Sequence, residues 1–310
     1  MGLTNFPHGV SSFGMPVVGS GPLMTTGNVF FVDSGAARAA DGNAATDPQN
    51  PAATIDGAIG KCTASNGDQI IVMPGHTETI AAAGGITADV AGVSIYGLGH
   101  GASRPTISFT ATASTYVISA ASHVLSNVLC TGDIDAIVTM FSITGADCSL
   151  LNVETRDVTG QCTSVITTAT GADRLLIDGY VHRGAAAAGG VNCIELVGAD
   201  DGTTIRNFWI DGNFSTAAIQ NVTGVMTNLS VYGDRQSYAR TRNAADVIFT
   251  AVTTTTGNVG PNINARLQDN AANITEAFVG ADMQFFNPIR IVNLDGEAHI
   301  DSNITASTDA

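Results

Sequence analysis

The feature that most restricts the fold of this 310-residue chain is a pattern that recurs six times in its middle. The six segments read SIYGLGH, LSNVLC, LLNVET, LIDGYV, IRNFWI and MTNLSV. Apolar residues recur two positions before, one position after and three positions after one shared column. At intervals of 30, 25, 26, 29 and 21 residues, the column holds Gly97, Asn127, Asn152, Asp178, Asn207 and Asn228. Such self-similarity indicates a solenoid of stacked coils.

The spacing of the apolar residues indicates that the chain turns a corner at this column. In a flat strand, residues two before and one after the column would point to opposite faces. Both point inward only if the chain bends between them, through a left-handed backbone that Gly, Asn and Asp tolerate best. Stacked asparagine amides could then hydrogen-bond along the column. The pattern predicts a parallel β-helix, because a leucine-rich horseshoe needs a tighter leucine repeat and a β-sandwich needs no corner residue in register.

Composition narrows the classes of partner. The formal net charge is −15, and the only lysine is Lys61. An acidic surface repels phosphate backbones and anionic lipids, so we expect neither a nucleic-acid nor a membrane partner. The five cysteines form no CxxC pair, which indicates small buried apolar residues in a protein that folds in a reducing cytoplasm.

The chain divides into three predicted regions. Residues 1–32 contain no Asp, Glu, Lys or Arg and scatter their apolar residues among glycines and prolines, which predicts an extended anchoring arm without a signal peptide. Residues 33–240 are predicted to form the β-helix, with a capping helix near 54–62 that begins after Thr54 as N-cap. Residues 241–310 are expected to form a β-rich closing or trimerisation section.

Two stretches carry a family resemblance. VFFVDSG…DGNAATDPQNPAATIDGAIGKCTASNGDQIIVMPGHTETI, at 29–80, resembles the opening of pectin-lyase-like right-handed β-helix proteins encoded by tailed bacteriophages. The uncharged start NFPHGVSSFGMPV is similar to the arm of phage virion proteins of this kind. The resemblance covers about residues 1–235. It implies a right-handed parallel β-helix and a virion component, often a homotrimer, in a family with both polysaccharide-cleaving and inert structural members.

Candidate catalytic residues follow the predicted column by four positions, namely Arg156, His182 and Asp211. If they stack at the strand spacing, they form a glycan-binding or acid/base patch; the alternative is a solvated ladder of alternating charge. Trp209 is either a partner contact or a residue beneath a loop. No cofactor or metal is predicted, because the acidic loops 131–135 and 198–202 lack the ligand number of a calcium loop.

These observations predict a structural, non-enzymatic component of a bacteriophage particle, made in the host cytoplasm and carried in the virion. The favoured role is a capsid decoration or cement protein whose arm contacts the major capsid protein or other virion proteins through Phe6, Phe13, Met15 and Leu23. The alternative is a tail fibre or tailspike-type protein that binds or cleaves host surface glycans. Flat sheet faces favour a homotrimer, because closed symmetry is the usual way to cover them.

Overall fold

In a computed structural model, the chain is a parallel β-solenoid, or β-helix, of about eight turns. The structure describes residues 25–243, 247–267 and 277–292, together with the short strands Ser11–Ser12, Met15–Pro16, Ala298–Ile300 and Ile304–Thr305. Coils contribute strands in turn to a first, a second and a third sheet, and successive coils pair in parallel. The predicted all-β solenoid is therefore confirmed.

Three sheets of nearly equal size run along the solenoid. The first has ten strands: Val29–Val32, Gln69–Val72, Ser94–Gly97, Val124–Ser126, Ser149–Leu151, Leu176–Asp178, Thr204–Arg206, Leu229–Tyr232, Gly257–Val259 and Met283–Phe285. The second also has ten: Thr77–Ile80, Thr106–Phe109, Leu129–Gly132, Glu154–Asp157, Val181–Arg183, Trp209–Gly212, Ser237–Thr241, Ile263–Arg266, Ile289–Val292 and the antiparallel Ala298–Ile300. The third has nine: Ile86–Ala88, Tyr116–Ile118, Ile137–Ile143, Cys162–Thr168, Gly190–Val197, Phe214–Thr223, Phe249–Thr250, Phe278–Val279 and Ile304–Thr305.

The core is a stack of equivalent inward side chains from successive coils. In the first sheet, one such column consists of Ile95, Leu125, Leu150, Ile177, Ile205 and Val231, each at most 1% exposed. A single coil cannot bury its own inner face, so stacking on both neighbours supplies the hydrophobic stabilisation. Four of the five cysteines are buried free thiols within this core, as expected for small apolar residues, and Cys62 is partly buried.

Left-handed residues mark the corner between the first and second sheets, with one correction to the predicted column. Asn127, Asn152 and Asn207 have φ angles of 56°, 52° and 53°. In the coil between the last two, however, Leu151 pairs with Asp178, so the corner residue is Gly179, with φ 69°. Asp178 is instead the last residue of its strand. The sequence offers two adjacent residues that tolerate a left-handed backbone, and the structure uses the glycine.

Asn228 belongs to a different corner, between the third and first sheets. Its φ is 55°, and the strand register aligns it with four residues that precede the first-sheet strands: Ser122, Asp147, Arg174 and Gly202. All four also have positive φ. Gly97 does align with Asn127 but lies in an extended strand without a left-handed backbone. The solenoid thus has two left-handed corners, which the sequence pattern merged into one.

The corner asparagines do not pair amide to amide along the column. Asn127 donates from Nδ2 to the carbonyl oxygens of Gly97 at 2.7 Å and Gly99 at 2.9 Å. Asn207 donates from Nδ2 to Oδ1 of Asp178 at 2.9 Å. The amides therefore connect neighbouring coils through backbone and carboxylate acceptors, which satisfies the same polar groups in another way.

The helix before the first coils forms as predicted. It spans Ile55–Ile59, and the side chain of Thr54 accepts a hydrogen bond from the backbone N–H of Gly57 at 2.9 Å. Ile55, Ala58 and Ile59 are buried and face the first strands of the first and third sheets. The helix therefore extends the hydrophobic core beyond the first complete coil.

Two predicted boundaries are displaced. The arm was assigned to residues 1–32, but Val29–Val32 is the first strand of the first sheet and buries Phe30 and Val32. The β-helix was expected to stop near residue 240, yet all three sheets continue beyond it, as Ile263–Arg266 shows in the second sheet. The boundary near residue 240 was misplaced because the predicted column ends at Asn228, although the strands continue beyond it.

Candidate functional site

The outer face of the second sheet concentrates the arginines of this acidic protein. Register aligns Arg156, Arg183, Asp211, Arg240 and Arg266 as one outward row. A second row, two residues earlier in each strand, runs through Glu154, Val181, Trp209, Tyr238, Asn264 and Arg290. Arg104 and Arg242 donate hydrogen bonds to the carboxylates of Glu154 and Asp211 in these rows. We call the two rows together with these two arginines the arginine–aromatic face. Seven of the eleven arginines in the chain lie here beside two carboxylates, a net charge of +5.

One end of the face is a cluster of three arginines around Glu154. Oε2 of Glu154 accepts from Arg104 at 2.5 Å, and Oε1 accepts from Nε of Arg156 at 2.6 Å and Nε of Arg183 at 3.1 Å. Burial raises the pKa of Glu154, but hydrogen bonds from Arg156 and Arg104 outweigh it, so this pKa lies below its ordinary value. One carboxylate cannot neutralise three guanidinium groups, and the cluster keeps a positive charge.

Asp211 organises the middle of the face. Its Oδ2 accepts from Arg242 at 2.8 Å, and its Oδ1 lies 3.9 Å from Nε of Arg240 and is buried without a hydrogen-bond partner. Arg266 and Arg290 are exposed, and neither forms an ion pair with a carboxylate of the residues that the structure describes. The positive charge is therefore least compensated toward the C-terminal coils.

An aromatic pair lies between the two charged regions. Trp209, the only tryptophan of the chain, stacks on Tyr238 of the next coil with ring centroids 4.3 Å apart and an angle of 26° between the planes. Trp209 is 47% exposed. Trp209 is therefore a surface residue and does not lie beneath a loop. Such a large exposed aromatic side chain is unusual on a face where arginines predominate.

The structure does not bring the three candidate catalytic residues together. Arg156 and Asp211 lie in the same outward row, but His182 points into the core and is 1% exposed. Its Nδ1 lies 2.8 Å from Oγ1 of Thr155, and its ring packs against Phe214. Burial lowers the pKa of His182 to about 3, so the imidazole is neutral at physiological pH. His182 therefore belongs neither to the acid/base patch nor to the solvated ladder, the two alternatives that the sequence left open.

The misplaced corner explains this error and the residues that were missed. Counting four positions from Asp178 selects His182, whereas counting from Gly179 selects Arg183, the residue that the register pairs with Arg156. Tyr238, Arg240, Arg266 and Arg290 were missed because the column was not followed correctly past Asn207. Aligning the short motifs VHR, WID, YAR and NAR would have revealed the outward rows.

The remaining predicted residues are placed as follows. Phe6, Phe13 and Leu23 of the arm lie outside the described residues, whereas Met15 belongs to the strand Met15–Pro16, which pairs antiparallel with Ser11–Ser12. Among the described residues, no three His, Cys, Asp or Glu side chains gather as a metal site would require, and no helix has the length and apolarity to cross a membrane.

An open depression of about 570 Å³ lies at the N-terminal end of the arginine–aromatic face. It is lined by Gly101, Ala102, Arg104, Thr106, Leu129, Glu154 and Arg156. The depression is continuous with the Glu154 cluster, so charged groups border it.

Comparison of the chain with protein-family profiles, with curated proteins and with solved structures finds no match in any of the three.

Proposed function

We propose that this protein is a non-enzymatic structural component of a bacteriophage particle, a capsid decoration protein attached through its N-terminal arm. The attachment through the arm is supported by the uncharged sequence that precedes the first strand of the solenoid, Val29–Val32. The non-enzymatic part is supported by the burial of His182, which removes the candidate histidine from the arginine–aromatic face. The two carboxylates of that face, Glu154 and Asp211, are already engaged by arginines. A proton-transfer catalyst needs a group that can exchange protons near the working pH.

The protonation state of Glu154 also argues against glycoside hydrolysis on this face. Hydrogen bonds from Arg156 and Arg104 hold the pKa of Glu154 below its ordinary value, so this carboxyl group stays ionised. A glycosidase needs one protonated carboxyl group as its general acid, and an ionised Glu154 cannot serve as one.

A second candidate function is binding of host surface glycans without cleavage, as part of a tail fibre or tailspike-type protein. The exposed Trp209–Tyr238 pair and the neighbouring depression favour it, because aromatic rings and arginines are suited to sugar rings and their acidic groups. This candidate uses the arginine–aromatic face, whereas decoration uses the arm. Substitutions in the arm should therefore abolish decoration, whereas substitutions on the arginine–aromatic face should abolish glycan binding.

Particle binding by arm variants tests the decoration proposal. Purified wild-type protein is mixed with undecorated capsids of the phage that encodes it, and bound protein is measured after sedimentation. The double variant Phe6→Ser/Phe13→Ser should lose binding at least tenfold and keep the wild-type melting temperature, because the three sheets of the solenoid begin only at Val29–Val32. The matched control Ser11→Ala/Ser12→Ala changes the same segment without removing aromatic area.

Wild-type occupancy by Phe6→Ser/Phe13→Ser would overturn the role of the arm as anchor. Release of new reducing ends or unsaturated products from host capsule or lipopolysaccharide, abolished by Asp211→Ala, would overturn the non-enzymatic assignment.

A further inference from the structure

The arginine–aromatic face has a charge that the fold does not require. The chain as a whole has a net charge of −15, yet this one face has a net charge of +5. Ion pairs within the face leave positive charge uncompensated around Glu154, and Arg266 and Arg290 are exposed without carboxylate partners among the described residues. Fold stability does not explain such a set, because exposed arginines of this kind contribute little to it.

We propose that the arginine–aromatic face is a docking surface for an acidic polypeptide segment of a partner protein. This interaction is separate from the arm and goes beyond the proposed function, since it assigns a second, chemically different contact to the solenoid. The face is a basic surface on an acidic protein, so charge complementarity favours an acidic partner and rapid association with it.

The residue types on the face favour a protein partner. Arginine, tryptophan and tyrosine are the residues most enriched at the energetic centres of protein interfaces, and lysine is depleted there. Here Trp209 and Tyr238 form one stacked pair beside the row that contains Arg183 and Arg240, and no lysine is present on the face. The pair offers apolar area that a partner can bury, while the guanidinium groups bind carboxylates in pairs of hydrogen bonds.

The dimensions of the face fit an extended segment. The row from Arg156 to Arg266 spans five coils, which is about 19 Å at the usual strand spacing. An extended chain covers this length with about six residues. A segment of that size with several Asp or Glu residues can reach Arg183, Arg240 and Arg266 simultaneously.

Trp209 makes the test direct, because the only tryptophan of the chain reports on this face alone. Full-length protein at pH 7 is titrated with poly-L-glutamate, which contains no tryptophan, and the emission of Trp209 is followed at low and high ionic strength. We expect a saturable change in emission and at least tenfold weaker binding in 0.5 M salt, where charges are screened within a few ångströms.

Single arginine substitutions distinguish binding at the arginine–aromatic face from nonspecific attraction to any positive charge. Arg266→Gln and Arg290→Gln should each weaken poly-L-glutamate binding about fivefold, the effect of losing one exposed charge pair. Arg38→Gln removes an exposed arginine that lies outside the arginine–aromatic face and should leave binding within a factor of two. Circular dichroism of each variant confirms that the solenoid is intact.

Three results would overturn the proposal: an emission of Trp209 that does not respond to poly-L-glutamate, equal losses for Arg38→Gln and Arg266→Gln, or tighter binding of polygalacturonate or a single-stranded oligonucleotide than of poly-L-glutamate. The last result would assign the face to a glycan or a nucleic acid. None of these outcomes depends on capsid binding, so the decoration proposal can fail while this one holds.

Discussion

Substitution of Gly179 by alanine tests the corrected corner between the first and second sheets. Gly179 has a φ of 69°, and a Cβ atom built there would lie 2.5 Å from Oδ1 of Asn152 in the preceding coil. The same coil contains Asp178, which the sequence pattern had assigned to this corner. The two residues are adjacent, so the register can be tested by substituting each of them.

The expected cost of Gly179→Ala follows from three contributions. A left-handed backbone costs a non-glycine residue about 1 to 2 kcal/mol. Displacing the Asn152 side chain adds about 1 kcal/mol of crowding, whereas the less flexible unfolded chain of the alanine variant returns about 0.4 to 1 kcal/mol. The net loss of unfolding free energy should be about 2 kcal/mol. Gly179→Asn should cost about 1 kcal/mol less, because asparagine tolerates this backbone.

Denaturant unfolding followed by Trp209 emission and by circular dichroism measures these differences. Gly42→Ala is the matched control, because its φ is not left-handed and no atom lies within 4 Å of the added methyl. It should change stability by less than about 0.5 kcal/mol in the destabilising direction. Asp178→Gly tests the corner that the sequence predicted. Asp178 accepts hydrogen bonds from Arg206 and Asn207, so this substitution should lower the unfolding free energy by more than about 1 kcal/mol.

If Gly179→Ala costs no more unfolding free energy than Gly42→Ala, Gly179 is not the left-handed corner residue. A near-neutral Asp178→Gly would restore the corner predicted from the sequence, because glycine would then relieve a left-handed aspartate.

Two further predictions concern the core and the corner. Burial lowers the pKa of His123 to about 4, so the unfolded chain takes up a proton as pH falls below 6.5 and the folded protein does not. The unfolding free energy should therefore decrease as the pH falls from 6.5 to 4. In equilibrium unfolding, His123→Phe should make this decrease shallower by about 1.4 kcal/mol per pH unit. An unchanged slope would contradict the prediction. By the same assay at pH 7, Asn152→Val should cost about 2 kcal/mol, because a β-branched residue resists the φ of 52° at this position. The control Thr159→Ser, at an exposed residue, should cost less than about 0.5 kcal/mol. Equal costs would argue against a left-handed corner at Asn152.

The solenoid was predictable because its physical requirements appear directly in the sequence. Asn127, Asn152 and Asn207 each stand between apolar residues that can only face inward around a bend, and all three have left-handed backbones. The capping helix was predictable for a local reason, because Thr54 precedes an apolar face formed within one turn of helix. Both signals are short-range, and neither depends on contacts between distant coils.

The coil around Asp178 and Gly179 was not predictable by the same rule. A corner at Asp178 would place Leu176 and Val181 inward. That apolar pair is better suited to a core than Ile177 and His182, the pair that the structure buries. The core accepts His182 because the hydroxyl of Thr155 in the neighbouring coil provides a hydrogen-bond partner at 2.8 Å. That partner is 27 residues away, so no local pattern contains it.

The same one-residue choice determines the chemistry of the outer surface. Side chains alternate between faces, so a shift of one residue moves the entire set from inside to outside. With the corner at Asp178, the outward row would read Arg156, His182 and Asp211, which resembles an acid/base site. With the corner at Gly179, Arg183 replaces His182, and the row continues into Arg240 as a binding surface. The functional interpretation of this face therefore depends on the backbone conformation of one glycine, and the unfolding experiments on Gly179 and Asp178 test both at once.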